Sequence, residues 1–215
     1  MELLINKDSY YIPNRWNEVS LRKYMQFMNT YKEEVSQAEK ELHIITCFTG
    51  ANPDHIGKAS KRIITKAVQR ITNLLETKPS DKLVLEFEID NVAYGFHPSL
   101  KDLKLKEFVD LDNALSDNWD NMHKIMSILY RPIIKRKKDK YQIEEYDFIT
   151  ANNRAKIFLD SLSVEVVNGA AGFFLNIVTD YIKIMQAYSQ TTNKTNKERI
   201  RLTKRLLRKT MDGTL

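Results

Sequence analysis

The chain has 215 residues, of which 42% are hydrophobic, with 34 Lys or Arg against 28 Asp or Glu and a single cysteine. That length and apolar share suffice to bury a sizeable core, which excludes disorder throughout. One cysteine, Cys47, excludes an intramolecular disulfide and fits a reducing compartment.

The start, "MELLINKDSYY", has no basic region followed by a long apolar run, so no signal peptide is expected. Ser20 is a candidate N-cap, and Leu21, Tyr24, Met25 and Met28 follow helical spacing, which predicts one or two helices from Leu21 to about Phe48. Gly50 and Pro53 end that run. Cys47 lies in the apolar stretch "LHIITCF" and reads as a buried, inert thiol. A further amphipathic helix carries Ile63, Ile64, Ala67, Val68, Ile71, Leu74 and Leu75 and stops at "TKPSD".

The period then changes to two. Leu83, Leu85, Phe87 and Ile89 alternate with polar residues or Val84, and Asp90-Asn91 leads into Val92, Tyr94 and Phe96, which predicts a β-hairpin within residues 83–97. A lone hairpin is marginal, so it should pack on helices or take another strand, with "ELLIN" the nearest candidate. Tyr94 and Phe96 could stack bases, but no RNP pattern or flanking basic residues accompany them, and packing is the expected role.

A short helix is expected in "KLKEFVDLDNAL" and a clearer one in "SDNWDNMHKIMSILYRP", capped by Ser116 or Asp117. Its inward face would be Trp119, Met122, Ile125, Met126 and Leu129, and Pro132 would end it. "KRKKDKYQIEEYD" reads as a charged, exposed connector. "NRAKIFLDSL" and Val164–Tyr188 complete a helical second half, and the charged and amide residues of the latter mark a buried helix instead of a membrane span. In "GAAG", Gly169–Gly172, the small residues suggest that another helix or the hairpin crosses at close range. The fold expected is mainly α, of the α+β class: a helical body over residues 1–192 with one β-hairpin, then a basic C-terminal arm over residues 193–215.

Chemistry is sparse. His43, His55, His97 and His123 lie in separate segments without metal-ligand spacing. Asp117, Asp120 and His123 share a helical face, where acids more often complement the helix dipole than hold a metal. Asp110 and Asp112 start like a calcium loop, but Leu115 and Asn121 stand where that loop needs Gly and Glu. No phosphate loop, metalloprotease helix or nucleophile elbow occurs, so neither catalysis nor a cofactor is expected.

The arm holds eight basic and two acidic residues, which leaves 26 of each in residues 1–192. The body is formally neutral, and the whole net charge of +6 belongs to the arm. Ile200, Thr203, Leu207 and Met211 form a narrow apolar stripe on a helical wheel. Candidate partner-binding residues are Arg199, Arg201, Leu202, Lys204, Arg205, Leu206, Leu207, Arg208 and Lys209. Leucines beside arginines favour docking into a protein groove with acidic groups over a nucleic acid, which remains the alternative partner, or a membrane surface, which wants bulkier apolar residues.

The order of these motifs, "RWNEVSLRKYMQFM", "FEIDNVAYGF", "EFVDLD", "HKIMSILYRP" and "GAAGFF", resembles virion and tail-assembly proteins of tailed bacteriophages, crAss-like podoviruses in particular, over Tyr11 to Ala187. That resemblance implies a structural part: a portal-adaptor ring, twelvefold in such phages, at the head-to-tail connector. Its C-terminal extension would climb onto the portal or a neighbouring tail or ring protein. It would be found in the virion, and in the host cytoplasm during assembly. The same pattern is also similar to phage tail-assembly chaperones, and a small DNA-binding or DNA-packaging protein is the third reading.

Overall fold

A computed structural model describes residues 2–5, 8–31, 35–115, 118–138 and 140–173. The basic arm, all its candidate binding residues from Arg199 to Lys209 and the segment before it lie outside the described residues. So do Ser116, Asp117 and the Trp119 side chain.

The protein is mainly helical with a small antiparallel sheet, the class expected. Strands β1 (Glu2–Ile5) and β2 (Asp8–Tyr11) open the chain as a hairpin of their own. The expected addition of "ELLIN" to the later hairpin is therefore corrected. Pairing with residues a few positions away costs far less loop-closure entropy than reaching a distant edge.

Helices α1 (Leu21–Tyr31), α2 (Gln37–Thr49), α3 (Pro53–Gly57) and α4 (Lys61–Glu76) follow. The Leu21–Phe48 run divides before Ser36, because Ser36 and Glu39 form a reciprocal capping box that starts α2 afresh. Gly50 takes a left-handed φ of 74° and ends α2, while Pro53 begins α3 at the position where a missing N–H costs nothing. These helices enclose one core around Trp16, Phe27, Ile45, Phe48, Ile71 and Leu74.

The predicted hairpin forms from β3 (Glu86–Ile89) and β4 (Val92–Phe96). Asp90 and Asn91 have φ of 50° and 61°, the pair of positive values a type I′ turn requires. Leu85, expected inside, is exposed although its carbonyl still accepts from Phe96 N–H. Helix α5 (Leu105–Leu115) and α6 (Met122–Leu129) come next. Met122, Ile125, Met126 and Leu129 are buried as the spacing predicts.

Two expectations fail after α6. The helix ends at Leu129, and Pro132 lies inside a strand, β5 (Tyr130–Lys137), where it stands opposite Tyr94 just before a register shift. Pro cannot donate to the ladder, and the irregularity accommodates it. The charged connector "KRKKDK" is not a loop: β5 turns through Lys138, at φ 54°, into β6 (Lys140–Ile143). Tyr130, Ile133, Tyr141 and Ile143 supply the strand propensity that the lysine count concealed. The sheet order is β3-β4-β5-β6, so β5 is the strand that the hairpin recruits.

Helix α7 (Phe148–Ser161) and a helical stretch over residues 164–173, here α8, complete the described chain. One sheet face packs on α6, α7 and α8 to make the second core. Phe87, Tyr94, Tyr130 and Phe158 meet there with ring centroids 5.0–5.7 Å apart. Burying a side chain such as Phe158 contributes about 1.5–3 kcal/mol. The two cores are tied where Leu21 N–H donates to Leu162 O (2.8 Å) and Val164 N–H to Val19 O (2.9 Å), beside an Arg22–Asp160 ion pair.

Candidate functional site

Helix α5 is packed against its polarity. Its buried face carries Glu107 with Leu111 and Ala114, while Leu105 (79% exposed), Phe108 and Val109 face solvent. Glu107 is drawn inward by partners from three segments. Arg131 Nη1 donates to Glu107 Oε1 at 2.8 Å, and Lys104 N–H donates to Oε2 at 2.9 Å. His97 Nε2 lies 3.8 Å from Oε2. Arg131 is as buried as Glu107, and its Nε has no protein partner among the described residues. Its guanidinium also lies 5.9 Å from the Tyr146 ring centroid, and Tyr146 OH donates to Asp110 Oδ2 at 2.7 Å. Burial and that hydrogen bond push the Tyr146 phenol well above its ordinary range.

A second buried cation, Arg154, donates to Ser127 O and pairs with Glu144, so α7 is braced to α6 and to the chain just past β6. Neither ion pair opens into a described cavity, and both act as internal struts. Lys104–Glu145 (3.4 Å) and Tyr146–Asp110 fasten α5 to the segment before α7, whose first turn exposes Phe148 and Ile149. Both elements thus expose large apolar side chains, of the kind that marks a contact site when they are contiguous.

Two histidines make stability pH-dependent. His97 is held below the ordinary imidazole range, first by burial and then by Arg131, against the opposing pull of Glu107. His123 is lowered by burial first, then by Lys124. A depressed value means the unfolded chain binds the proton more tightly, so stability is full above the unfolded value near ~6.5 and declines as pH falls below it. Urea midpoints should therefore drop on acidification through that range, and His97→Gln should shrink the drop. A midpoint that rises on acidification would show the sign to be wrong.

The other sequence candidates resolve individually. Tyr94 and Phe96 are buried in the core, as the packing reading has it. Gly169 and Gly172 are crossed at close range, as expected, but by the extended residues 81–83 that lead into β3 instead of by a helix or the hairpin. Asn168 Nδ2 adds hydrogen bonds to Pro79 O and Ser80 O. Asp120 is exposed and His123 half-buried, and among the described residues no three His, Cys, Asp or Glu side chains converge on a metal position. Cys47 is half-buried, with burial pushing its thiol up. Among the described residues no helix is long and apolar enough to cross a membrane.

An open groove of about 670 Å³ runs beside α1, α2 and α4, lined by Trp16, Tyr24, Phe27 and Ile44 together with Lys40, Glu76 and Lys78. Sequence reading missed Glu107 and Arg131 altogether, since an acid at 107 in a helix and an arginine before Pro132 look like surface residues. The only available signal was the phase of α5, where placing Leu105, Phe108 and Val109 inside would leave Leu111 and Ala114 outside. No protein-family model, no curated protein and no solved structure matches this chain.

Proposed function

We propose that the chain is a structural virion protein of a tailed phage, forming a ring adaptor at the portal and docking onto its neighbour through the basic C-terminal arm. The observation that carries this reading is the outward apolar face of α5 (Leu105, Phe108, Val109), with Phe148 and Ile149 also exposed in the first turn of α7. Exposed side chains of this size favour a protein contact. A head-to-tail contact between unlike patches closes into a ring when its rotation permits. Within such a ring each arm adds a weak contact of charge and leucine, and the symmetry multiplies it. Of the motifs that resemble phage connector proteins, Ile125, Met126 and Phe96 are in the core, while Phe108 and Val109 of "EFVDLD" are exposed.

Burying Phe108 at each subunit contact is worth about 2 kcal/mol, roughly thirtyfold in affinity per contact. Phe108→Asp combined with Val109→Asp should leave monomer stability within about 0.5 kcal/mol, because both sites are exposed. The same variant should abolish assembly in mass photometry and incorporation into particles. Deleting residues 193–215 should spare the ring and lose attachment to the portal. Mass spectrometry of purified virions is the direct check: a copy number matching a ring is expected, and absence from mature particles would replace the adaptor by a tail-assembly chaperone.

A further inference from the structure

The β5–β6 ribbon presents a built cationic face. Its register sets Arg136 opposite Tyr141, Lys137 opposite Lys140 and Lys135 opposite Gln142. Opposed residues share a face, and alternate residues along a strand share one too. Arg136 and Tyr141 therefore form one face, and Lys135, Lys137, Lys140 and Gln142 form the other.

The first face is pinned to the body. Tyr141 OH donates to Phe96 O (2.8 Å) and Leu85 O (3.2 Å), and its ring lies where a Cβ on Gly95 would stand 2.5 Å from Cε2. Arg136 pairs with Glu86 at 2.7 Å. The register shift at Ile134 is what bends the ribbon back across β4 to reach these partners. The second face is consequently turned to solvent, with Lys138 added at the turn, and all four lysines are exposed. Among the described residues none of the four has an ion-pair partner.

One feature separates this face from ordinary edge protection. Past Pro132 the strand β5 leaves β4 and pairs with β6 alone, so lysines there blunt an open edge, but Lys137 directly opposite Lys140 destabilises the ladder, and local stability favours some other residue there. The composition also selects the partner. Protein interfaces are depleted in lysine and enriched in aromatics, and this face offers lysines and one glutamine. Alternate lysines stand about 6.8 Å apart along the strand and about 5 Å across it. A phosphate backbone supplies anions at comparable density.

We propose that the face of Lys135, Lys137, Lys138 and Lys140 grips the phosphate backbone of nucleic acid without reading its bases. Lysine is a point charge that suits phosphate and discriminates poorly among bases, and the ribbon's exposed arginine, Arg136, is already held by Glu86. The inference is independent of ring formation.

The test is binding of the full chain to a labelled DNA duplex between about 50 and 200 mM salt. Replacing Lys135, Lys137 and Lys140 by Gln should reduce the slope of log affinity against log salt by about 2 to 3, and weaken binding about a hundredfold near 100 mM salt. The arm contributes to both proteins and drops out of the difference. Arginine at the same three positions should restore the slope, and a melting temperature no lower than the wild type's certifies the fold of each variant. An unchanged slope in the glutamine variant, or no duplex binding at the lowest salt, overturns the proposal. So does equal or tighter binding of polyglutamate with the same dependence on the three lysines, which would make the face a seat for an acidic protein.

Discussion

Arg131→Met is expected to destabilise the protein by about 3–5 kcal/mol, the cost of leaving one member of a buried ion pair uncompensated. Among the described residues Glu107 would retain only the Lys104 N–H as a close donor, with His97 Nε2 still at 3.8 Å. For a chain of this size that loss lowers the melting temperature by about 10 °C. Glu107→Gln added to Arg131→Met should recover most of it, because the amide oxygen still accepts from Lys104 and no bare charge remains inside. The pH dependence supplies a second signature. In the wild type burial first and then Arg131 hold the His97 proton off. Without Arg131 the neighbouring carboxylate favours the imidazolium, so the folded-state value rises, and the gain is present below the raised value and lost above it. The single variant should thus be less impaired in acid than at neutral pH. Equal loss in the single and double variants would mean that the strut contributes by packing alone.

The same strut explains why α5 turns its apolar side outward. Arg131 is fixed by β5 beneath the helix, and a buried guanidinium requires a carboxylate more than a hydrophobic side chain requires burial. Leaving Phe108 in water forfeits about 1.5–3 kcal/mol, while leaving Arg131 buried and unpaired costs more. The helix phase therefore follows the charge, and Leu105, Phe108 and Val109 remain available to a neighbour.

Legibility in the sequence divides along that line. Where local chemistry decides, the residues could be read. Asp90-Asn91 closes a hairpin, Gly50 ends a helix, and the spacing of Met122, Ile125, Met126 and Leu129 identifies an inward face. Where a distant partner decides, they could not. Glu107 is buried because of a residue 24 positions away. Lys135–Lys140 is a ribbon because Tyr141 reaches Phe96 O, 45 positions earlier. The candidate contact surface on α5 depends on the first of these and the cationic face on the second, so neither was visible in composition. The arm, outside the described residues, was legible as a charge imbalance with a narrow apolar stripe.

Gly169→Ala is expected to destabilise by about 2 kcal/mol net, and the sign is diagnostic. In a helix interior Ala is better than Gly by about 1 kcal/mol, so at an open position this change stabilises. At Gly169 the new Cβ would stand 2.3 Å from Lys82 O and 3.0 Å from its carbonyl carbon. Those are backbone atoms of the segment that enters β3, held in turn by the hydrogen bonds from Asn168 to Pro79 O and Ser80 O. They cannot rotate away as a side-chain end does, and an overpacking cost of about 3 kcal/mol outweighs the propensity gain. Gly172 is the internal comparison, because its nearest neighbours, Asp81 Cβ and O, are at 3.1 Å. A shift of a few tenths of an ångström suffices there, so Gly172→Ala should change stability by less than about 1 kcal/mol, the helix gain and the crowding cost nearly cancelling. Urea unfolding of the two variants beside the wild type measures both effects. If Gly169→Ala is as stable as the wild type, residues 81–83 do not cross α8 at this distance, and the clamp that joins α8 to the sheet is not there.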